Sequence, residues 1–375
     1  MVPAHPSAEP CQTTNIEFVV SALGMVSPVG ANAMQTFTSI RANILRKQER
    51  PDIYMCLPAD PDTDQPEPLT ASAISHLDCR WRAEHSPTEW LALLAANAFA
   101  DLWGKAKLTA GEEIGLFLAL PASRPDWGRE NQERFANWFH NLVARDRFVH
   151  EQFVWLGSCG VLTLCADACR LLREGKIQHA IIGGVDSHLF PRWLAPLDRA
   201  YRIHSTRNLD GFCPGEAAAL LLLESAAKAG QRSLRPWAEM RTIASATCTP
   251  GPAGHDAGMA LADVLRHVIP AQAKTPPLLV CDLNGEMSRA REWGHALARL
   301  GNALPGPLAL EHPAAVLGDV GAATGAVLLA TAAHALHTKH SERNSAVVWA
   351  ASDEGERCAV LLERSLPPSG SPLSP

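Results

Sequence analysis

A serine and a cysteine stand side by side where the sequence predicts a strand, a turn and then a helix. In the stretch WLGSCGVLTLCADACRLL they are Ser158 and Cys159, and many enzymes display a nucleophile on such a turn. A thiol there can have a lowered pKa, whereas a serine hydroxyl needs a neighbouring base. Each also has a structural interpretation, Ser158 as the N-cap of the helix and Cys159 as a small buried residue. The residues alone leave open which of the two, if either, is a nucleophile.

Two further polar residues lie beside glycines later in the chain. Asn284 lies in LNGE after a predicted strand, and Asp319 lies in GDVGAATG. The amide could donate to a carbonyl oxygen as part of an oxyanion hole, while turn or cap roles are the alternative for both residues. A replacement base could come from His150, His179, His188, His204, His295 or His312, of which His312 is the most interesting because it shortly precedes the glycine-rich segment.

Composition and charge exclude several classes of protein. The 375 residues carry a formal net charge of -6, with 47% hydrophobic and 19% charged residues. We therefore expect a globular protein that binds no nucleic acid. No apolar run is long enough for a membrane span, and the first residues lack the pattern of a signal peptide. These features predict no membrane association and a cytoplasmic location.

The cysteines do not form a recognisable framework. The 10 of them are scattered, mostly in apolar runs, and neither CxxC nor HExxH occurs. This pattern favours buried, reduced thiols over disulfides. Cys165 and Cys169 are spaced to share one helix face, but no histidine or carboxylate pair at ligand spacing lies nearby. We predict no metal site and no cofactor.

Unbroken apolar strands alternate with helices, which is typical of an α/β protein whose sheet is covered on both faces. Two such series follow one another and suggest an old duplication. Strands are predicted at 16–22, 114–121, just before 157, at 179–187, 218–225, 238–248, 276–285, 345–352 and 358–365; helices are predicted at 31–41, 87–103, 129–145, 160–172, 257–268, 288–299 and 321–337. The predicted divisions are a disordered N-terminus (1–14), a first half (15–230), a second half (231–365) and a disordered tail (366–375), with a turn at 24–30, an acidic proline-rich surface loop at 56–70 and a linker at 225–236.

Four motifs, in order and spacing, resemble those of the β-ketoacyl synthases of the thiolase-fold superfamily, over about residues 16 to 365. They are LGMVSPVG (23–30), ADACRLLREGKIQHAIIGGVDS (166–187), STRNLDGFCPGEAAALLLLE (205–224) and GDVGAATGA (318–326). The resemblance implies a thiolase-like, duplicated αβαβα layered fold with two similar halves.

The resemblance also implies a reaction centre that this chain has changed. In the family a cysteine attacks an acyl thioester and two histidines promote decarboxylative condensation. An ungapped alignment puts Ser158 in the cysteine position, with Cys159 one place too late, and puts Asn284 and Asp319 in the histidine positions. Moving Cys159 into place would rotate the rest of the helix by about 100°. The family's glycine-rich gate corresponds to SDEGERC (352–358).

The aspartate is unfavourable for condensation. An ionised carboxylate at ~4 Å from the malonyl carboxylate costs about 4 kcal/mol at an effective dielectric constant of ~20. This cost corresponds to a rate lowered about a thousandfold. The resemblance therefore implies a degenerate synthase homologue that lacks the Cys-His-His set.

Three functions follow from the resemblance. The leading hypothesis is a non-enzymatic scaffold, adaptor or heterodimer partner, either of an active synthase or in effector handling for type VI secretion, since similar degenerate proteins are associated with those genes. The alternative is an acyltransferase or thioesterase-like enzyme that uses Ser158 or Cys159 with acyl-carrier or coenzyme A thioesters. A third is a binding protein for acyl chains or acyl carrier protein, with a relic pocket along helix 160–172. The expected partners are a second copy or a related thiolase-fold subunit, with acyl carrier protein or effector cargo as further candidates.

Overall fold

The computed structural model describes residues 11–55, 67–77, 84–109, 111–124, 127–144, 147–249, 255–270, 275–304, 307–338 and 343–365. The strands in these ranges are β1 (Gln12–Val26), β2 (Lys47–Met55), β3 (Glu67–Ser72), β4 (Ile114–Ala119), β5 (Phe148–Val154), β6 (His179–Ser187), β7 (Glu216–Glu224), β8 (Ala238–Thr247), β9 (Leu278–Cys281), β10 (Ala309–Glu311), β11 (Ser345–Ala351) and β12 (Glu356–Glu363). The α-helices are α1 (Ala33–Arg41), α2 (Pro87–Ala106), α3 (Arg129–Leu142), α4 (Gly160–Arg173), α5 (Pro191–Arg199), α6 (Ala226–Gln231), α7 (His255–Val268), α8 (Met287–Leu300), α9 (Ala314–Leu317) and α10 (Thr324–His337).

Ten of the described strands form one sheet whose two halves repeat the same topology. The order is β10-β9-β11-β12-β8-β1-β7-β6-β4-β5, and β1 and β8 pair antiparallel at its centre. Outward from that centre, each half has two antiparallel junctions followed by two parallel ones. From the centre outward, the first half has β1-β7-β6-β4-β5 and the second has β8-β12-β11-β9-β10, so equivalent strands occupy equivalent places. This repeat is what a duplicated fold requires.

Helices α4 and α10 lie between the two halves of the sheet. Their apolar residues share one core with strands of both halves. A second core packs α2 and α3 on the outer face of the first half, and a third packs α7 and α8 on that of the second. The result is the five-layered αβαβα arrangement, which confirms the predicted fold class.

Strand β7 shows why the sequence folds in this way. Alternate side chains of a strand point to opposite faces. Leu221 and Leu223 accordingly lie in the central core, and Leu220 and Leu222 lie in the outer core under α2. Because both faces are covered, the strand is a continuous apolar run rather than an alternating one.

The structure corrects several predicted elements. Strand β1 begins at Gln12 and ends at Val26, so it includes part of the predicted disordered segment and part of the predicted turn at 24–30. The predicted loop at 56–70 includes the start of β3, and the predicted linker at 225–236 contains α6. Residues 1–10, 56–66 and 366–375, where the other irregular segments were predicted, lie outside the described residues. The division of the chain at residue 230 stays a prediction.

Six of the described elements were not predicted from the sequence: strands β2, β3 and β10, and helices α5, α6 and α9. Prolines at 191 and 196 hide the helical pattern of α5. In the part of the chain that the structure describes, every helix is too short or too polar to span a lipid bilayer.

Candidate functional site

Two short 3-10 turns meet between the halves of the sheet, one before each central helix. Gly157–Cys159 leads into α4, and Gly321–Ala323 leads into α10. Each turn starts with a glycine in the left-handed region, at φ +52 for Gly157 and +51 for Gly321, which other residues adopt only with strain. The Ser158 hydroxyl donates to the carbonyl oxygen of Gly321 at 3.4 Å. The two turns are therefore equivalent parts of the repeated fold, in contact with one another.

Gly321 has a second reason to be glycine. A Cβ at this position would lie 2.0 Å from Oδ2 of Asp186, a buried residue near the end of β6. That same oxygen accepts from the backbone N–H of Ala322 at 2.9 Å. Arg124 pairs with both carboxylate oxygens of Asp186, at 2.8 and 2.7 Å. The absent side chain thus makes room for a charged pair that fixes the turn against β6.

Ser158 occupies the tip of its turn and lines a cavity. Only 8% of its surface is exposed. The predicted N-cap role is wrong, because the cap of α4 is Cys159 and no side chain accepts from the first turn of that helix. The hydroxyl instead makes the long bond to Gly321, which leaves it without a base in this conformation. As it stands, the serine is a weak nucleophile.

Cys159 points into the core and away from the cavity. It is fully buried, and its Sγ contacts the carbonyl oxygens of Ala350 and Glu356 at 3.0 and 3.2 Å. Burial raises the pKa of the thiol well above its ordinary value, and the neighbouring Cys358 acts in the same direction. The helix N-terminus does not compensate for this desolvation. The small-buried-residue interpretation of Cys159 fits the structure.

The segment that the resemblance assigned to the glycine-rich gate begins with the turn of the β11–β12 hairpin. Ser352 at the start of this turn accepts from the backbone N–H of Cys159 at 3.1 Å and donates to the carbonyl oxygen of Leu156. A Cβ on Gly157 would lie 3.5 Å from the Ser352 hydroxyl. The hairpin turn is therefore bonded to the backbone on both sides of Ser158.

Asn284 and Asp319, which the sequence alignment assigned to the two histidine positions, bond to one another. Asn284 Nδ2 donates to Asp319 Oδ2 at 2.7 Å and to Glu286 Oε2 at 3.0 Å. Both hydrogens of the amide are thereby used. The predicted oxyanion role of Asn284 would need one of these bonds to break.

His188 joins this network from the end of β6. Its Nε2 lies 3.2 Å from Asp319 Oδ1, which also accepts from the backbone N–H of Gly321 at 2.8 Å. Burial opposes ionisation of Asp319, but the hydrogen bond and charge of His188, followed by the bonds from Asn284 and Gly321, hold the pKa of the carboxyl well below its ordinary value. Asp319 is therefore a stable carboxylate.

His188, rather than His312, is the histidine that shares the cavity with Ser158. The cavity has a volume of about 240 Å³ and is lined by Ser158, His188 and Asp319 among others. His312 lies exposed, outside this lining. The sequence named His188 among six candidate bases but favoured His312, because His188 stands in no motif. Its signal is its position directly after a buried strand, where α/β proteins place ligand-contacting residues.

Three arginines on the cavity wall are already paired with carboxylates. Arg124 binds Asp186 as described and lies over the ring of Trp193, 4.8 Å from its centroid. Arg202 binds Glu286 at 2.7 and 2.9 Å. The remaining pairs are Arg202 with Asp353 at 2.6 Å, and Arg289 with Asp282 at 2.9 Å and with Asp353 at 3.3 Å. A carboxylated acyl unit would have to displace one of these acids to gain a counter-ion.

Helix α4 offers little room for an acyl chain. Its apolar residues, including Val161, Leu164 and Ala168, pack in the central core. Behind Asn284 and Asp319 lies a further cavity of about 10 Å³, which is about the size of one water molecule. The side chains fill the channel that the third hypothesis requires, and this counts against it. Among the described residues, no group of 3 or more histidines, cysteines and acids could hold a metal ion.

Comparisons with known proteins agree with this architecture. Residues 157–229 match the family model of the β-ketoacyl synthase N-terminal domain, and no curated protein matches the sequence. One similar solved structure is a type II polyketide synthase acyl-carrier protein in complex with its ketosynthase, with a TM-score of 0.75 and 14% identity over 94% of this chain and 100% of that one.

Two further solved structures are alike in the same way. The oxazolomycin ketosynthase domain of Streptomyces albus JA3453 has a TM-score of 0.74 and 17% identity over 96% of this chain and 76% of that one. The ishigamide ketosynthase/chain length factor has a TM-score of 0.73 and 15% identity over 94% of this chain and 100% of that one. The resemblance to the β-ketoacyl synthases, predicted from the motifs, is confirmed by the family model and by the shared fold.

Proposed function

We propose that this chain is a non-condensing ketosynthase-fold subunit that acts by pairing with a related, catalytic subunit. One observation carries the proposal: Asn284 and Asp319, which the motif alignment assigns to the two histidine positions, are bonded to one another at 2.7 Å. A pair of imidazoles is replaced by an amide and a stable carboxylate, neither of which can promote decarboxylation of a malonyl unit in the way that the family does.

The thiol of the family reaction is also missing from the cavity. By the motif alignment Ser158 takes the nucleophile position, and Cys159 lies in the core with a pKa raised by burial. A thiol in this state forms almost no thiolate at neutral pH, and the thiolate is the nucleophilic form. Condensation therefore lacks both its nucleophile and its acid-base groups, while the five-layered body is retained.

The outer edge of the first half of the sheet offers a surface for pairing. Strand β5 pairs with β4 on one side only in the described part of the chain. An open strand edge is a ready template for another strand. Val149 on this strand is 60% exposed, and it would be covered if the edge of a second subunit joined here. The resemblance implies dimerisation through this same edge.

The structural neighbours favour a related subunit as the partner. One is the ishigamide ketosynthase/chain length factor, and another is an acyl-carrier protein in complex with its ketosynthase. By likeness we extend both kinds of partner to this chain, a catalytic ketosynthase-type subunit first and an acyl carrier protein second. Effector cargo of type VI secretion is the remaining partner, and its capture in place of a synthase subunit would identify the chain as an adaptor.

The test is co-expression of the tagged chain with the ketosynthase-type subunit of its native host, followed by native mass spectrometry. We expect a 1:1 complex with a subunit that keeps the cysteine and both histidines. A strictly monomeric chain, with neither synthase nor cargo bound, would overturn the pairing. Turnover of malonyl and acyl thioesters into a condensed product by the purified chain alone would overturn the non-condensing half of the proposal.

A further inference from the structure

Within the described part of the chain, His188 forms a hydrogen bond through one of its two ring nitrogens and not through the other. The residue is 8% exposed. Its Nε2 faces Asp319 Oδ1 at 3.2 Å, and its Nδ1 is buried without a hydrogen-bond partner in the described part of the chain. A buried polar atom without a partner is uncommon in a folded protein and calls for an explanation.

The charge of Asp319 decides which nitrogen carries the proton. A carboxylate can only accept hydrogen bonds, and Asp319 already accepts from Gly321 N–H at 2.8 Å and from Asn284 at 2.7 Å. The bond to His188 therefore requires a proton on Nε2. In the singly protonated ring, which is the form that acts as a base, Nδ1 has the lone pair and can accept a second proton.

The turn of Ser158 places a hydroxyl on the wall of the same cavity. The serine and the histidine line the same cavity, and Gly321 contacts both sides of the arrangement. Its carbonyl oxygen accepts from Ser158 at 3.4 Å, and its N–H donates to the carboxylate that holds His188. The bond from Ser158 is long and weak. A rotation about χ1 of the serine is enough to release the hydroxyl from Gly321.

We propose that Ser158, His188 and Asp319 form a serine–histidine–aspartate set that cleaves uncharged acyl thioesters, an activity beyond the subunit role proposed above. His188 Nδ1 takes the proton of the Ser158 hydroxyl as Oγ forms a bond to the thioester carbonyl carbon. The C–S bond then breaks, and the leaving thiolate takes the proton from Nδ1 to depart as a thiol. In the second stage His188 removes a proton from water, whose oxygen attacks the ester carbon, and Oγ regains its proton as the carboxylic acid leaves.

The roles match those of the familiar triad on an unrelated fold, where the acid orients the imidazole and stabilises its protonated form. Asp319 can stabilise the protonated imidazole because the bonds from His188, Asn284 and Gly321 keep its carboxyl group ionised. Cys159 has no part in it, since its thiol lies in the core. The paired arginines of the wall favour an uncharged acyl group over a malonyl group, because no cation there is free of a carboxylate.

The experiment uses a fluorophosphonate probe, which phosphonylates activated serines, and a hexanoyl thioester of coenzyme A with detection of the released thiol. The full-length chain should gain one adduct on Ser158 and release thiol with turnover. Ser158→Ala should abolish both signals. His188→Gln should lower both rates at least about 100-fold, the usual contribution of a general base. Ser288→Ala, at an exposed serine outside the cavity lining, should leave both rates unchanged.

Absence of the adduct and of thiol release in the wild-type chain would overturn the activity, as would a His188→Gln variant that reacts at the wild-type rate. If His188→Gln does not fold, Asp319→Asn keeps the shape of the carboxylate and gives the same test, with an expected loss of at least about tenfold. A wild-type rate in Asp319→Asn would also contradict the set. Complex formation with a synthase subunit is measured separately, so either proposal can fail without the other.

Discussion

Asn284 Nδ2 donates to Asp319 Oδ2 at 2.7 Å, and this bond joins the two residues that the motif alignment sets against the histidines of the β-ketoacyl synthases. The amide and the carboxylate are hydrogen-bonded to one another, and Gly321 and His188 supply the other hydrogen bonds to Asp319. These residues form a closed polar network. Four testable consequences follow from this network and from the elements around it.

Asp319→Asn should lower the free energy of unfolding by about 1 to 3 kcal/mol at pH 7, since it removes the charge that His188 and Gly321 stabilise. The native pKa of Asp319 lies below its unfolded value of ~3.9. Its contribution is therefore complete above that unfolded value and is lost as the pH falls below it. Urea unfolding from pH 7 down to pH 3 should show the difference between wild type and variant shrinking at the acid end. Asp263→Asn, at a 57% exposed side chain, is the control, and an equal difference at both ends would contradict the assignment.

Cys159 should resist alkylation in the native protein. Burial raises its pKa and keeps reagents from Sγ. With iodoacetamide at pH 8, mass spectrometry of peptides should find Cys159 modified about 100-fold or more slowly than in the same chain unfolded in guanidinium chloride. Rapid modification in the native state would place the thiol in the cavity and reopen its role as nucleophile.

Gly321→Ala should destabilise the protein by at least about 2 kcal/mol. The new Cβ would need the space held by Asp186 Oδ2, at a backbone φ of +51. Gly294→Ala in α8 is the matched control, because nothing lies within 4 Å of an added Cβ there, and it should stabilise by about 0.5 to 1 kcal/mol. Thermal unfolding of both variants gives the comparison, which fails if the two changes have the same sign and size.

Val149→Glu should prevent pairing with a synthase subunit and leave the fold of the chain intact. The side chain is 60% exposed on the open edge strand, and a charge on such an edge disfavours strand-to-strand association. Leu209→Glu, at a residue that is 75% exposed elsewhere, is expected to leave the complex unchanged. Native mass spectrometry of the two variants checks this, and a wild-type yield of complex with Val149→Glu would move the interface to another surface.

The layered fold could be predicted because its strands are buried on both faces. The run that becomes β7 is apolar at every position between its terminal glutamates, and only a sheet covered on both sides explains such a run. The short strand β10 and the helix α5 could not be predicted. A strand of three residues, as β10 is, is too short to show a periodic pattern. Helix α5 has prolines at positions 191 and 196, which are unusual in a helix.

The site was predicted in part. Motif order brought Ser158, Asn284 and Asp319 to one place, where the structure also has them. The separation of Ser158 from Cys159 depends on side-chain direction, because successive helical residues point about 100° apart. Sequence also gives no measure of which histidine reaches Asp319. His188 lies 131 positions from it in the chain, and only the packing of β6 against the Gly321–Ala323 turn brings them together.

The two turns that begin with Gly157 and Gly321 come from different halves of the chain. Neither half therefore contains the whole site. Ser158 and His188 come from one repeat, and Asn284, Asp319 and Gly321 come from the other. Separating the two halves would therefore remove the Asp319 carboxylate from the cavity that contains the Ser158 hydroxyl. Any chemistry in this cavity therefore requires both halves of the chain to be folded together.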